Sequence, residues 1–147
     1  MARRFLLIAL LVVIALTAAA CGSSDRTAQN NDNPGQSATF ETVTVQDAHE
    51  KLNGNDTAVI VDVRNPDEWA ATGYPPNAHL IPLPDFQQRA PNELRKDADI
   101  YVICNSGNRS RVASQILIDL GYTRVFNIDG GIQAWLQAGL PTEPYIP

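Results

Sequence analysis

Apolar and polar positions divide the chain into three stretches with different physical character. Phe5 to Leu16 is almost wholly apolar, follows Arg3-Arg4, and gives way to the small residues of Thr17-Ala-Ala-Ala20. A basic start, a short apolar run and small residues predict a secretory signal over 1–20, too short to be a membrane span. From Ser23 to Thr39 the composition is mainly Ser, Asn, Asp, Gln, Gly and Pro, with no apolar period. Such a stretch cannot bury enough surface to order itself, so 21–39 is expected to be a solvated tether. Periodic apolar positions return at Phe40 and continue to Pro147. Residues 40–147 suffice for one small domain with a core.

Within that domain the pattern alternates between two periods. Thr44-Val-Gln-Asp47 opens a helix expected to end near Leu52, just ahead of Gly54. Ala58-Val-Ile-Val-Asp62-Val63 is an unbroken β-branched run, which predicts a strand covered on both faces. Asn65-Pro66-Asp67-Glu68 starts a short helix carrying Trp69, Tyr74-Pro75-Pro76-Asn77 reads as a turn, and His79-Leu-Ile81 as a short strand. Pro84 to Leu94 is expected to hold one or two short helical pieces. Asp99 to Ile103 predicts the central strand, Ser110 to Leu120 a helix closed by Gly121, and Arg124 to Ile128 a further strand. Gly130-Gly131 leads into a helix over Ile132 to Ala138, stopped by Gly139 and Pro141. Strands alternating with helices predict a parallel α/β sheet with helices on both faces.

Charge narrows the partners. The chain has 11 Lys+Arg against 16 Asp+Glu, a net charge of −5. Removing Arg3 and Arg4 with a leader makes it about −7. That balance argues against nucleic acid and against electrostatic attachment to anionic lipid. His49 and His79 lie on separate elements and Cys104 has no ligand-spaced partner, so neither a metal nor another cofactor is expected. The segment Thr17-Ala-Ala-Ala20-Cys21 resembles the lipobox of bacterial lipoproteins. That resemblance implies cleavage before Cys21, diacylglycerol on its sulfur, and an extracytoplasmic protein tethered to the cell membrane; the alternative is a cut near Ala20 and a secreted domain. With Cys21 acylated, Cys104 is the only free thiol and no intramolecular disulfide can form.

The segment that carries chemistry is Cys104-Asn105-Ser106-Gly107-Asn108-Arg109-Ser110. It joins the run Ile100 to Ile103 to the following helix. Backbone N–H groups at such a junction point inward and meet the positive end of the helix. A thiol placed there should ionise more readily, because the field favours the thiolate. Gly107 permits a backbone conformation that a side chain would resist, Ser110 is placed to cap the helix, and Arg109 to orient a donor or support the loop. Asp62 and Arg64 end their strand and are expected to support the loop from behind. Trp69 and Trp135 read as core anchors, Asp129 as a turn residue, and Arg111 and Arg124 as solvated or steering charges.

Four stretches in order resemble the rhodanese family. They are Asp62-Val63-Arg64 with Glu68-Trp69; Gly73-Tyr-Pro-Pro-Asn-Ala78-His-Leu-Ile81-Pro82; Cys104 to Ser110; and Gly130-Gly131-Ile-Gln-Ala134-Trp135 with Gly139-Leu140-Pro141. The resemblance covers essentially all of 40–142 and implies a small doubly wound α/β domain. It also implies sulfurtransfer, in which Cys104 takes a sulfane sulfur as a persulfide from a small sulfur donor and passes it to a thiol or cyanide acceptor. Three positions depart from the family pattern. Tyr74 replaces a His, Asn77 replaces a Gly, and Asn105 stands where many members carry Arg, removing a cation near a bound anion such as thiosulfate. Four residues separate Cys104 from Arg109, whereas family phosphatases have one more, so the loop length fits sulfur. A second expectation is a binding or sensing domain with poor turnover, its lone thiol exposed to an oxidising compartment. A third is a redox role through mixed disulfides. No particular protein partner is implied.

Overall fold

The computed structural model describes residues 39–147; the leader, Cys21 and the tether lie outside the described residues. The elements run β1 (Glu41–Val43), α1 (Val45–Leu52), β2 (Ala58–Asp62), α2 (Pro66–Thr72), β3 (His79–Leu80), α3 (Leu83–Glu93), β4 (Asp99–Ile103), α4 (Asn108–Asp119), β5 (Val125–Ile128) and α5 (Gly131–Gln137). The five strands form one parallel sheet in the order β1-β5-β4-β2-β3. Its two faces carry separate apolar cores. On one, Val61, Val63, Ile100 and Val102 pack with Phe86 and Ala90 of α3 and with Ala113 and Leu117 of α4. On the other, Ile60, Tyr101, Ile103 and Ile128 pack with Val45 and Ala48 of α1 and with Ile132 and Trp135 of α5. The strand period of two divides β4 between these cores, and Cys104, two residues after Val102, belongs to the α3/α4 side.

The α/β alternation expected from the sequence is present, with differences that have local causes. β1 went unrecognised because three residues, two of them exposed, carry no apolar signature; only pairing with β5 defines it. The Pro84 to Leu94 stretch forms one helical piece, Leu83–Glu93, with Pro91 inside its last turn. α4 begins at Asn108, not Ser110, because Gly107 takes the left-handed conformation at φ 96° and turns the chain directly into the helix.

Near β3 the chain is strapped by its own C-terminus. Tyr74 N–H donates to Glu143 O at 3.0 Å and Glu143 N–H donates back to Tyr74 O at 2.8 Å. Tyr145 packs on Trp69 and Tyr74 at ring-centroid distances of 5.4 and 6.5 Å. Asn77 adopts φ 60°. That backbone shape suits Gly and is tolerated by Asn, which accounts for the Asn at this turn.

Candidate active site

The loop after β4 is shaped by the helix that follows β5. Ile132 N–H donates to Cys104 O at 2.8 Å and Gln133 N–H donates to Asn105 O at 3.2 Å. The free N–H groups of the α5 terminus thereby hold two carbonyls of the loop. Gly131, at φ 57°, makes this approach possible: a Cβ there would lie 2.6 Å from the Asn105 carbonyl carbon and oxygen. With those carbonyls turned to α5, the next amides face the other way. Gly107 N–H donates to Cys104 Sγ at 3.2 Å, and the Ser110 hydroxyl lies 3.4 Å from the same sulfur.

Two opposed effects act on the thiol. Burial raises its pKa, since a thiolate loses water, but hydrogen bonds from the Ser110 hydroxyl and from the backbones of Ser110, Ser106 and Gly107 favour the anion. The hydrogen bonds prevail, and the pKa is lowered from the ordinary thiol value. Cys104 is only 1% exposed. The side-chain parity of β4 sends the sulfur beneath the start of α4.

The remaining residues of the segment divide by role. Ser106 and Asn108 are exposed and Asn105 is half-buried, so their side chains form the outer rim. Ser110 does not cap α4; it is buried in the first turn, and its hydroxyl lies within hydrogen-bond distance of Gly107 O (3.0 Å), Asn127 Oδ1 (2.7 Å) and the sulfur. Arg109 turns to α2, donating from both terminal nitrogens to the Glu68 carboxylate at 2.6 Å each. Glu68 also accepts Asn65 N–H at the start of α2, 3.1 Å. The Arg109 hydrogen bonds hold its carboxyl below the usual range against the opposing effect of burial.

Asp62 and Arg64 form a buried pair at 2.7 Å. Arg64 then reaches Thr72 Oγ1 at 2.8 Å and Gly73 O at 2.6 Å. Their side chains thus secure the end of α2 and the turn after it; their hydrogen bonds do not run to residues 104–110. Trp69 and Trp135 are buried. His49 packs edge-on against Trp135, His79 lies on β3, and no cluster of three metal-ligating residues occurs among the described residues.

Sequence reasoning missed Asn127, fully buried on β5 and bonded to Ser110. The available signal was a polar residue interrupting Val125-Phe126-Asn127-Ile128. It also left unassigned the pairing of Glu68 with Arg109, and the backbone of Gly131 to Gln133, which no side-chain pattern reports.

Residues 44–138 match the family model described as "Rhodanese-like domain". The chain belongs to the rhodanese-like family. A rhodanese-like domain protein from Staphylococcus aureus is 32% identical, with 71% of this chain and 99% of that one covered at a TM-score of 0.61. A rhodanese-related protein from Thermoplasma volcanium is 29% identical, covering 72% and 100% at 0.64. A Rhodopseudomonas palustris protein of unknown function, described as a possible tyrosine phosphatase, is 30% identical, covering 71% and 85% at 0.64. In this rhodanese-like domain the Cys104 loop follows the carboxyl end of the central strand, the end at which open α/β sheets place their ligands.

Proposed function

We propose that the protein is an exported sulfurtransferase, anchored to the cell membrane by lipid on Cys21, that carries sulfane sulfur as a persulfide on Cys104. The observation that carries this reading is the donor set around one sulfur: Gly107 N–H at 3.2 Å and the Ser110 hydroxyl at 3.4 Å, with the thiol pKa lowered. The Cys104 thiolate attacks the outer sulfur of a donor such as thiosulfate. The donor S–S bond breaks, sulfite leaves with the electron pair, and Cys104 becomes a persulfide. A thiolate or cyanide then attacks the terminal sulfur, giving a new persulfide or thiocyanate and returning the Cys104 thiolate. Inward-facing loop amides suit the terminal sulfur anion as they suit the thiolate. Phosphate transfer is less well supported, because both terminal nitrogens of Arg109 are engaged by Glu68 and the loop is one residue shorter than in family phosphatases.

The test is intact mass after incubation of reduced protein with thiosulfate or a small persulfide. A gain of one sulfur, absent in Cys104→Ser, together with sulfite release from thiosulfate, is expected. Intact mass of protein purified from its own membrane reads acylation at Cys21 separately. One observation favours a second reading, a binding or sensing domain with poor turnover: the near-complete burial of Cys104. No sulfur gain with any sulfane donor, in folded and reduced protein, would favour that reading over transfer.

A further inference from the structure

The Ser110 hydroxyl has one proton and three acceptors within reach: Cys104 Sγ, Gly107 O and Asn127 Oδ1. The shortest contact, 2.7 Å, is to Asn127. If Asn127 Oδ1 takes the proton, the sulfur receives none from Ser110. The same arrangement leaves Asn127 Nδ2 without a hydrogen-bond partner, although the residue is fully buried. Orphaned N–H donors are rare in protein interiors, and carbonyl oxygens short of a partner are more common. A half-turn of the amide exchanges its oxygen and nitrogen with little change in shape. Nδ2 then donates to Ser110 Oγ, and the hydroxyl proton is released toward the sulfur or Gly107 O.

We propose that Asn127 is a positioning residue which, by presenting its amide nitrogen to Ser110, holds that hydroxyl as a donor to the Cys104 sulfur. The chain of bonds runs from Asn127 Nδ2–H to Ser110 Oγ and from Ser110 Oγ–H to the thiolate. Each bond polarises the next, and the protein interior strengthens both. A hydroxyl relieved of donating to Asn127 is free to follow the charge on sulfur as Cys104 ionises. Other charges face the site from neighbouring elements. Arg109 of α4 acts on the sulfur through space and is itself faced by Glu68 of α2 and Asp62 of β2. Asp129, after β5, lies beside Gly107, its Oδ1 3.6 Å from where a Cβ at that residue would sit. None of these groups touches Ser110 or Asn127 by hydrogen bond, so the relay can be perturbed independently of them.

The inference rests on Cys104 being the reactive thiol, but its test uses no sulfur donor. The rate of Cys104 alkylation by iodoacetamide is followed against pH in full-length protein. Asn127→Leu is expected to raise the midpoint and slow alkylation at neutral pH about threefold, the loss of thiolate being partly offset by greater nucleophilicity. The same substitution made on Ser110→Ala is expected to move the midpoint no further, as a shared relay requires. A midpoint that falls or stays fixed in folded Asn127→Leu overturns the proposal, as does an undiminished shift on Ser110→Ala. Should Asn127→Leu not fold, the unmodified protein decides. The side-chain amide proton and nitrogen resonances of Asn127 are expected to titrate with the Cys104 midpoint, and resonances indifferent to it overturn the proposal. Sulfur gain at Cys104 is a separate measurement, so failure here leaves sulfurtransfer standing, and absence of transfer leaves this relay intact.

Discussion

Arg109 and Glu68, separated by 41 positions in sequence, meet through two hydrogen bonds of 2.6 Å. One end of this fork is fixed in the first turn of α4, the other in the first turn of α2. The pair therefore braces the far side of the Cys104 loop against the helix that follows β2. Both side chains are partly exposed, at 33% and 25%, so solvent weakens the attraction. Glu68→Gln is expected to cost about 1 kcal/mol in urea unfolding at neutral pH. Arg109→Lys should cost a similar amount, because a single ammonium cannot reproduce the planar fork.

The same pair sets a pH dependence. The Glu68 carboxyl has its pKa lowered by Arg109, so its contribution is present above the unfolded carboxylate value, about 4.3. Stability falls as pH drops through the lower folded value, because protonation breaks the fork. Glu93, lowered by its exposed bond to Arg89, adds a smaller loss in the same window. Urea midpoints measured from pH 7 down to pH 3 should decline less steeply for Glu68→Gln than for the unmodified protein. Equal slopes would remove Glu68 from the account.

A third expectation concerns the backbone that orients the loop. At Gly131 the left-handed φ of 57° and the carbonyls of Cys104 and Asn105 together exclude a side chain. Gly131→Ala must move either α5 or the loop, and the cost is about 2–4 kcal/mol. Any displacement of the Cys104 and Asn105 carbonyls also disturbs the amides aimed at the sulfur. Alkylation of Cys104 in the folded variant should therefore shift to higher pH. An unchanged alkylation profile with full stability would mean that α5 does not set the loop's orientation.

Much of this arrangement is visible in the sequence because it depends on local chemistry. The β-branched run Ala58 to Val63, the Thr44 cap and the junction at Cys104 each announce themselves within a few residues. What the sequence conceals depends on partners far along the chain. β1 exists through pairing with β5, and Asn127 matters because the sheet brings it beneath Ser110. The direction taken by Arg109 follows from Glu68 being near, which spacing from Cys104 cannot report. Burial of the sulfur is likewise a tertiary result: side-chain parity assigns Cys104 to one face, and the helices α3 and α4 packed over that face close it off.

Asp62 and Arg64 supply a last prediction, in which the single and double replacements differ in kind. Both are essentially without exposure, and Arg64 also holds Thr72 and the carbonyl of Gly73. Arg64→Met strands the Asp62 carboxylate away from water, and about 3–5 kcal/mol of stability should be lost. Replacing both partners, Asp62→Leu with Arg64→Met, removes the stranded charge. The double variant should then recover part of that loss, although Thr72 and Gly73 still lack their donor. Urea unfolding of the single and double variants supplies the comparison. A double variant no more stable than Arg64→Met would show that the stranded carboxylate does not cause the loss, leaving it to the bonds of Arg64 to Thr72 and Gly73.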